Sequence, residues 1–111
     1  MISVVVVRGR CGNLVSAEAS GHAGKGTRGT DIVCAAVTVL LRTTISVLSA
    51  SGLVLEAGTA GRGSLAFRVT AFAEGDVSLL VYAADFLVEG VGSLARESPE
   101  AVEMRVERVE N

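Results

Sequence analysis

Hydrophobic and polar residues form two patterns along the chain, and each pattern predicts one kind of secondary structure. Short runs rich in Val, Leu and Thr, bounded by glycine, are typical of β-strands. Longer, mainly apolar runs predict helices. The strands are expected at residues 2–8, 14–20, 53–57, 64–72 and 101–109, and the helices at 32–50 and about 76–96.

The first two strands form a predicted hairpin. Residues 2–8, ISVVVVR, are β-branched with little alternation, so we expect a strand covered on both faces or nearly so. Residues 9–13, GRCGN, are a turn, and residues 14–20 return as the second strand. Gly21 and His22 would therefore stand at the end of that strand.

The first helix is predicted from residues 32–50, which contain neither Pro nor Gly. Asp31 or Thr30 is expected as its N-cap, and Gly52 as its C-terminal stop. The run is apolar around most of its circumference, which indicates deep burial. At 100° per residue, five polar positions at and after the expected start of the helix fall within one sector of about 80°. These residues are Asp31, Cys34, Thr38, Arg42 and Ser49.

The second helix follows the i, i+3, i+4 rule closely, with Gly75 and Asp76 as its start signal and Pro99 beyond its end. Leu79 and Phe86 lie on the side opposite to its apolar stripe. They are either isolated surface residues or a homodimer contact.

Hairpins interleaved with single helices, in the order β-β-α-β-β-α-β, favour an α+β layer fold. We expect a mixed, largely antiparallel sheet of about five strands with two main helices. With 111 residues and no linker-like segment, residues 1–111 are predicted to form one domain.

Composition and charge exclude several function classes. The net charge is -2 and the nine arginines are scattered, which is not the clustered basic footprint of a nucleic-acid-binding protein. No unbroken apolar run reaches the roughly 18 residues that a membrane span needs, and the start lacks the pattern of a signal peptide. We therefore expect a cytoplasmic protein whose cysteines are reduced thiols.

The candidate chemistry lies in residues 20–41, SGHAGKGTRGTDIVCAAVTVLL, which hold the only histidine of the chain, His22, and one of its two cysteines, Cys34. With Asp31 as N-cap, Cys34 would be in the first helical turn, where free backbone N–H groups and the helix dipole favour a thiolate. A nearby imidazole can take the thiol proton and later return it to a leaving amine. The same N–H groups could bind an oxyanion.

Other interpretations of these residues stay open on physical grounds. A cysteine in an apolar helix is often a small buried hydrophobe, and a strand-end histidine is often an ordinary surface residue. The phosphate-loop pattern is not met, because Gly26 follows Lys25, and one His with two Cys gives no zinc spacing. A non-catalytic module that binds a peptide or an anion is the alternative function, and a thiol redox sensor is a weaker one. Cys11 is interpreted as an incidental thiol.

The same stretch resembles the signature of the ribosomal-processing cysteine protease family, Prp, which runs approximately G-H-A, a variable loop, then G-x-D-I-V-C-A-A-V-S. Thr38 stands where serine is usual, a change that keeps the hydroxyl. The length and the order of elements are also similar. The matching residues are Gly21, His22, Ala23, Gly29, Asp31, Ile32, Val33, Cys34, Ala35, Ala36 and Val37.

The resemblance implies a bacterial, cytoplasmic cysteine endopeptidase that removes the N-terminal extension of a large-subunit ribosomal protein (L twenty-seven), cutting after a phenylalanine-rich motif. Cys34 would be the nucleophile and His22 the general base and acid. Asp31 would orient His22 or cap the helix. The family also implies a homodimer. From the composition and the residue spacing we expect no metal, cofactor, membrane or direct nucleic-acid partner. A mobile flap would comprise Gly24, Lys25, Gly26, Thr27, Arg28, Gly29 and Thr30.

Overall fold

A computed structural model of the chain describes residues 1–21, 30–59 and 63–110, with the backbone alone for residues 30 and 31. The elements follow the predicted order, and a 3-10 turn, Glu74–Asp76, precedes the second helix. The helices are α1 (Thr30–Ala50) and α2 (Val77–Glu97). The strands are β1 (Ile2–Arg8), β2 (Leu14–Ser20), β3 (Val54–Gly58), β4 (Ser64–Ala71) and β5 (Val102–Arg108).

The five strands form one mixed sheet in the order β3-β4-β2-β1-β5. β1 and β5 are parallel, and the other neighbours are antiparallel. In the centre, Val4 lies opposite Ala19 on one side and Met104 on the other. Both the predicted α+β class and the largely antiparallel sheet are confirmed.

The hydrophobic core lies between one face of this sheet and the two helices. Every second residue of β1 enters it, namely Ile2, Val4 and Val6. The neighbouring strands contribute Ala17, Ala19, Phe67 and Val102. From the helices come Val33, Val37, Leu41, Leu48, Leu80, Ala83, Ala84, Leu87 and Val91.

The face of β1 that points away from the helices differs from the expectation that this strand is covered on both faces or nearly so. Val5 and Val7 are only half-buried and do not belong to the core cluster. Their shielding comes from the flanking strands, which place long side chains such as Arg68 and Arg105 around the same concave surface. A run of valines without alternation was therefore not a sign of two covering layers.

α1 ends as the sequence predicts, because a glycine permits a left-handed turn. Gly52 has φ +90°, its N–H bonds to the Ser49 carbonyl (3.1 Å), and the Leu53 N–H bonds to the Leu48 carbonyl (3.2 Å). This pattern is a Schellman motif. Both Leu48 and Leu53 are buried, so the motif also fixes the direction in which the chain enters β3.

The deep burial expected for α1 is wrong. Its outer face is apolar but exposed, with Ile32 74% and Val39 60% accessible. Two segments of the described chain, Ile32–Ala50 and Glu74–Glu97, are long and apolar enough to cross a membrane by length and composition alone. In this fold each of these helices packs one side against the sheet. The mean hydropathy of the helices is high because the side that faces away from the sheet is also apolar.

Candidate active site

Cys34 lies on α1 where the helix passes the ends of two strands. It is half-buried, it packs against the core, and it is a free thiol. Val33 and Val37, its neighbours along the helix, are buried in the core and hold this part of α1 on the sheet. The thiol is therefore carried by a rigid element beside the core rather than inside it.

A groove of about 450 Å³ opens beside this thiol. One wall is α1, and the other is formed by the end of β2 and the beginning of β4, which pair through Ser20 and Ser64. Such a volume suits several side chains of a bound peptide. The lining residues are Ile2, Ala19, Ser20, Gly21, Cys34, Val37, Thr38, Arg42, Thr59, Gly63, Ser64 and Leu65.

Gly21 forms the end of the strand wall, and its backbone requires glycine. Its φ is +99°, a conformation that residues with a Cβ rarely adopt. A Cβ at this position would also collide with the carbonyl oxygen of Met1. Its N–H bonds to the Gly63 carbonyl (2.9 Å), which ties the end of β2 to the beginning of β4. The direction in which the chain leaves β2 is thus fixed one residue before His22.

His22 and residues 24–29 of the predicted flap lie outside the described residues. Of Thr30 and Asp31 the backbone is described, and both are helical. The prediction that Cys34 and His22 form one site therefore stays a prediction, as does the flap.

The start of α1 corrects one detail of the predicted site. The helix begins at Thr30, so neither Thr30 nor Asp31 is the N-cap, since both lie inside the first turn. Cys34 is then the fifth helical residue and not the third. A carboxylate in the first turn still interacts favourably with the helix dipole.

The polar stripe of α1 continues from Cys34 along the groove. Thr38 and Arg42 are exposed residues of the helix and line the groove with the thiol. The strand-side residues Ser20, Thr59 and Ser64 were not predicted as site residues. The places of Ser20 and Ser64 depend on the β2–β4 register, for which the sequence carries no local signal across so many intervening residues, and that of Thr59 depends on the pairing of β3 with β4.

A second concave surface, of about 540 Å³, lies on the uncovered face of the sheet. Its described lining contains no cysteine or histidine, and its arginines bond to neighbouring acids: Arg68 to Glu56 and Arg105 to Glu107, each at 2.8 Å. Within the described ranges, no group of three or more His, Cys, Asp or Glu residues could hold a metal ion. The Cys34 groove is therefore the candidate active site.

A family comparison decides the class of protein. Residues 1–103 match the model of the family described as cysteine protease Prp. The chain belongs to this family. No curated protein sequence matches the chain significantly.

Solved structures share the fold. The crystal structure of SMU.848 from Streptococcus mutans has a TM-score of 0.79 and 28% sequence identity, over 98% of this chain and 96% of that one. An essential ribosomal processing protease Prp from S. aureus, in complex with a substrate peptide, has a TM-score of 0.78 at 16% identity, over 96% and 100%. The same S. aureus protease with a covalently linked product peptide gives 0.78 at 17% identity, over 96% and 100%. At such low identity, the two S. aureus structures establish the fold alone.

Proposed function

We propose that this chain, folded as one domain over residues 1–111, is a cysteine endopeptidase in which Cys34 is the nucleophile and His22 the general base and acid. The observation that carries the proposal is that Cys34 and Gly21 line the same groove. His22 follows Gly21 directly in the sequence. Membership in the Prp family supports the reaction class.

The reaction follows from the chemistry of these two side chains. His22 takes the proton of the Cys34 thiol, and the sulfur attacks the scissile carbonyl carbon. As the tetrahedral intermediate collapses, the C–N bond breaks and the imidazolium donates its proton to the leaving amine. Water then attacks the thioester with His22 as base, which releases a carboxylate product and regenerates the thiol. The groove beside Cys34 receives the peptide on one side of the bond that is cut.

Asp31 is proposed to stabilise the first turn of α1 through the helix dipole. The alternative role, orienting His22, predicts that Asp31→Asn lowers the cleavage rate and shifts its pH profile. The helical role predicts only a small loss of stability, about 0.3–1 kcal/mol, without a change of the profile.

The proposed substrate is the N-terminal extension of large-subunit ribosomal protein L twenty-seven, and the proposed location is the bacterial cytoplasm, where ribosomes assemble. Support comes from the family and from the S. aureus protein of the same fold, which is a ribosomal processing protease solved with a substrate peptide. A host whose ribosomal protein carries no extension would contradict this substrate while leaving the peptidase chemistry open.

The decisive experiment is cleavage of a peptide that spans the host's ribosomal extension, followed by mass spectrometry. Wild-type protein is expected to cut it at one bond, and Cys34→Ala to leave it intact while its circular dichroism spectrum is unchanged. Cys11→Ala is the matched control, since Cys11 is the other free thiol and is exposed in the β1–β2 turn. Undiminished cleavage by Cys34→Ala would contradict the proposal.

Thiol labelling distinguishes the peptidase from a non-catalytic binding module. A thiol activated by an imidazole reacts with iodoacetamide faster at neutral pH than an ordinary one. We expect Cys34, measured in the Cys11→Ala background, to lose this acceleration in His22→Ala. Equal rates for Cys34 and Cys11 in the two single-cysteine variants would favour the binding module.

We also infer that two copies associate through the outer faces of α1 and α2. Leu79, one of the two residues predicted for this role, packs against the core, whereas Phe86 is 44% exposed beside Tyr82, which is 69% exposed. Val47 lines a shallow apolar depression with these two aromatic side chains, and Ile32 and Val39 line a second one between α1 and α2. An apolar face of this extent is typical of an interface between subunits.

A further inference from the structure

One face of the sheet is left open in the described part of the chain, because both helices pack against the other face. The strand register places two rows of side chains across this open face. All ten residues of these rows line the concave surface of about 540 Å³ described above, and we term them the open sheet face. They are Gly58, Ala66, Glu18, Val5 and Arg105 in one row, and Glu56, Arg68, Ser16, Val7 and Glu107 in the other.

The open sheet face has the shape of a trough. Its floor is formed by Ser16, Val5 and Val7 on the two central strands, β2 and β1. Longer side chains, such as Arg68 and Arg105, stand on the flanking strands β4 and β5. In the order of the sheet these flanking strands are three spacings apart, which at about 4.8 Å each is about 14 Å. A helix with its side chains is about 10–12 Å wide and an extended chain is narrower, so the trough can hold one polypeptide segment.

The centre of this trough carries an acidic side chain, Glu18 of β2. Glu18 is exposed, and it forms no ion pair among the residues that the structure describes. The two arginines are already neutralised, Arg68 by Glu56 and Arg105 by Glu107, each at 2.8 Å. The open sheet face therefore has one negative charge in excess, and a cationic side chain would complement it.

The open sheet face adjoins the groove beside Cys34. Ser20 is the next residue of β2 after Glu18 that points to the same side of the sheet, and it lines the groove. Two residues of an antiparallel strand span about 7 Å, which is the separation of the two Cα atoms. Thr59, just after the end of β3, lines both concave surfaces. A protein that binds in the groove is thus brought next to the open sheet face.

We propose that the open sheet face is a second binding surface for the substrate protein, where Glu18 pairs with a lysine or arginine outside the segment that the groove holds. The proposal rests on the endopeptidase function proposed above, in which the substrate is a ribosomal protein. A protein that binds RNA carries clustered Lys and Arg side chains for the phosphates, so such a substrate provides the required charge. The surface adds affinity for the whole protein and takes no part in the chemical step.

The test compares two substrates. One is a short peptide that spans only the cleavage site, and the other is the host's ribosomal protein with its extension in place. For Glu18→Gln, we expect the ratio of kcat/KM for the whole protein to kcat/KM for the short peptide to fall about 2- to 5-fold, as the loss of one exposed ion pair implies. The loss should appear in KM for the whole protein, and it should shrink as the salt concentration rises.

Two further variants identify the charge and its position. Glu18→Lys puts a cation in the trough and should lower the ratio further than Glu18→Gln, since it repels a basic segment. Glu97→Gln is the matched control, because Glu97 is exposed at the end of α2, on the other side of the sheet, and lines neither concave surface. It should keep the wild-type ratio. Urea unfolding followed by circular dichroism verifies that all three variants are folded.

Failure of this proposal is distinguishable from failure of the peptidase assignment. A wild-type ratio in both Glu18 variants, or an equal loss in Glu97→Gln, would overturn the binding surface while cleavage itself stands. A shift of Glu18→Lys toward monomer in sedimentation equilibrium would show a contact between copies of this chain instead, and would also overturn it. If neither substrate is cut, the Kd for the labelled ribosomal protein is measured by fluorescence anisotropy. A Kd that rises in Glu18→Lys but not in Glu97→Gln then supports the surface, and equal Kd values refute it.

Discussion

Gly21→Ala probes the point at which the strand wall of the groove leads into His22. Two features of the structure oppose a Cβ there, the φ of +99° and the Met1 carbonyl oxygen in the space that the new methyl group would occupy. Gly52→Ala is a matched control, because Gly52 has φ +90° and nothing within 4 Å of an added Cβ. The two substitutions share the backbone strain and differ in the collision.

The expected magnitudes follow from these two contributions. The left-handed conformation costs an alanine about 1–2 kcal/mol, and this should be most of the effect in Gly52→Ala. Relieving the collision at Gly21 requires a shift of the beginning of β1, which adds about 1–3 kcal/mol, as overpacking does elsewhere. Gly21→Ala is therefore expected to lose about 2–5 kcal/mol of unfolding free energy, which does not exceed the lower end of the roughly 5–15 kcal/mol typical of a folded domain.

Urea unfolding followed by circular dichroism measures both variants. With an m value of about 2 kcal/mol/M, the midpoint of Gly21→Ala should fall by about 1–2.5 M, and that of Gly52→Ala by about 0.5–1 M. Peptide cleavage in the absence of urea should be reduced in Gly21→Ala and preserved in Gly52→Ala, since only the former displaces the chain next to His22. Equal midpoints for the two variants would refute the collision, and full activity in Gly21→Ala would refute its role in positioning His22.

Two further predictions concern the core and the outer face of the helices. Leu87→Ala removes a fully buried side chain of α2 and should cost about 2–5 kcal/mol in urea unfolding, whereas Val39→Ala on the exposed face of α1 should cost less than about 1 kcal/mol. Phe86→Glu places a charge on the proposed dimer surface, so sedimentation equilibrium should show a shift from dimer to monomer with the monomer still folded. A wild-type protein that sediments as a monomer at high micromolar concentration would contradict the dimer.

The elements could be predicted closely from local sequence. β1 and β2 have the predicted bounds, and the remaining elements differ by one or two residues at their ends. Glycine and asparagine turns, β-branched runs and the Gly52 stop all act over a few residues, so the sequence alone carries their signal. Strand order and register depend on pairing between distant segments and were not accessible in this way.

Burial was the property that sequence predicted least well. Sequence alone does not distinguish an apolar residue that faces the core from one that faces a groove or a second molecule. For this reason α1 was expected to be deeply buried, and β1 to be covered on both faces or nearly so. Val39 and Val5 show the two errors, the first on an exposed helix face and the second on an uncovered sheet face. The composition of a segment shows how apolar its surface is, but only the fold determines which residues pack against that surface.

The site was predicted in part, because the thiol and its polar stripe follow from helical periodicity alone. Cys34, Thr38 and Arg42 lie on one side of α1 as the 100° rotation per residue requires, and all three line the groove. The opposite wall required the β2–β4 register, which brings Ser20 beside Ser64 although 43 residues separate them. For the same reason the sequence indicated where the nucleophile is but not which strand residues surround it.

Three sides of α1 have different surroundings, which explains both the weak amphipathicity of this helix and the organisation of the site. One side, including Val37 and Leu41, is fixed in the core, and the outer side, including Val39, is apolar and exposed. The polar stripe between them is the part of the helix that faces the groove. Because the core side anchors the same turns that carry Cys34 and Arg42, the separation of their Cα atoms is set by the helix rather than by a loop.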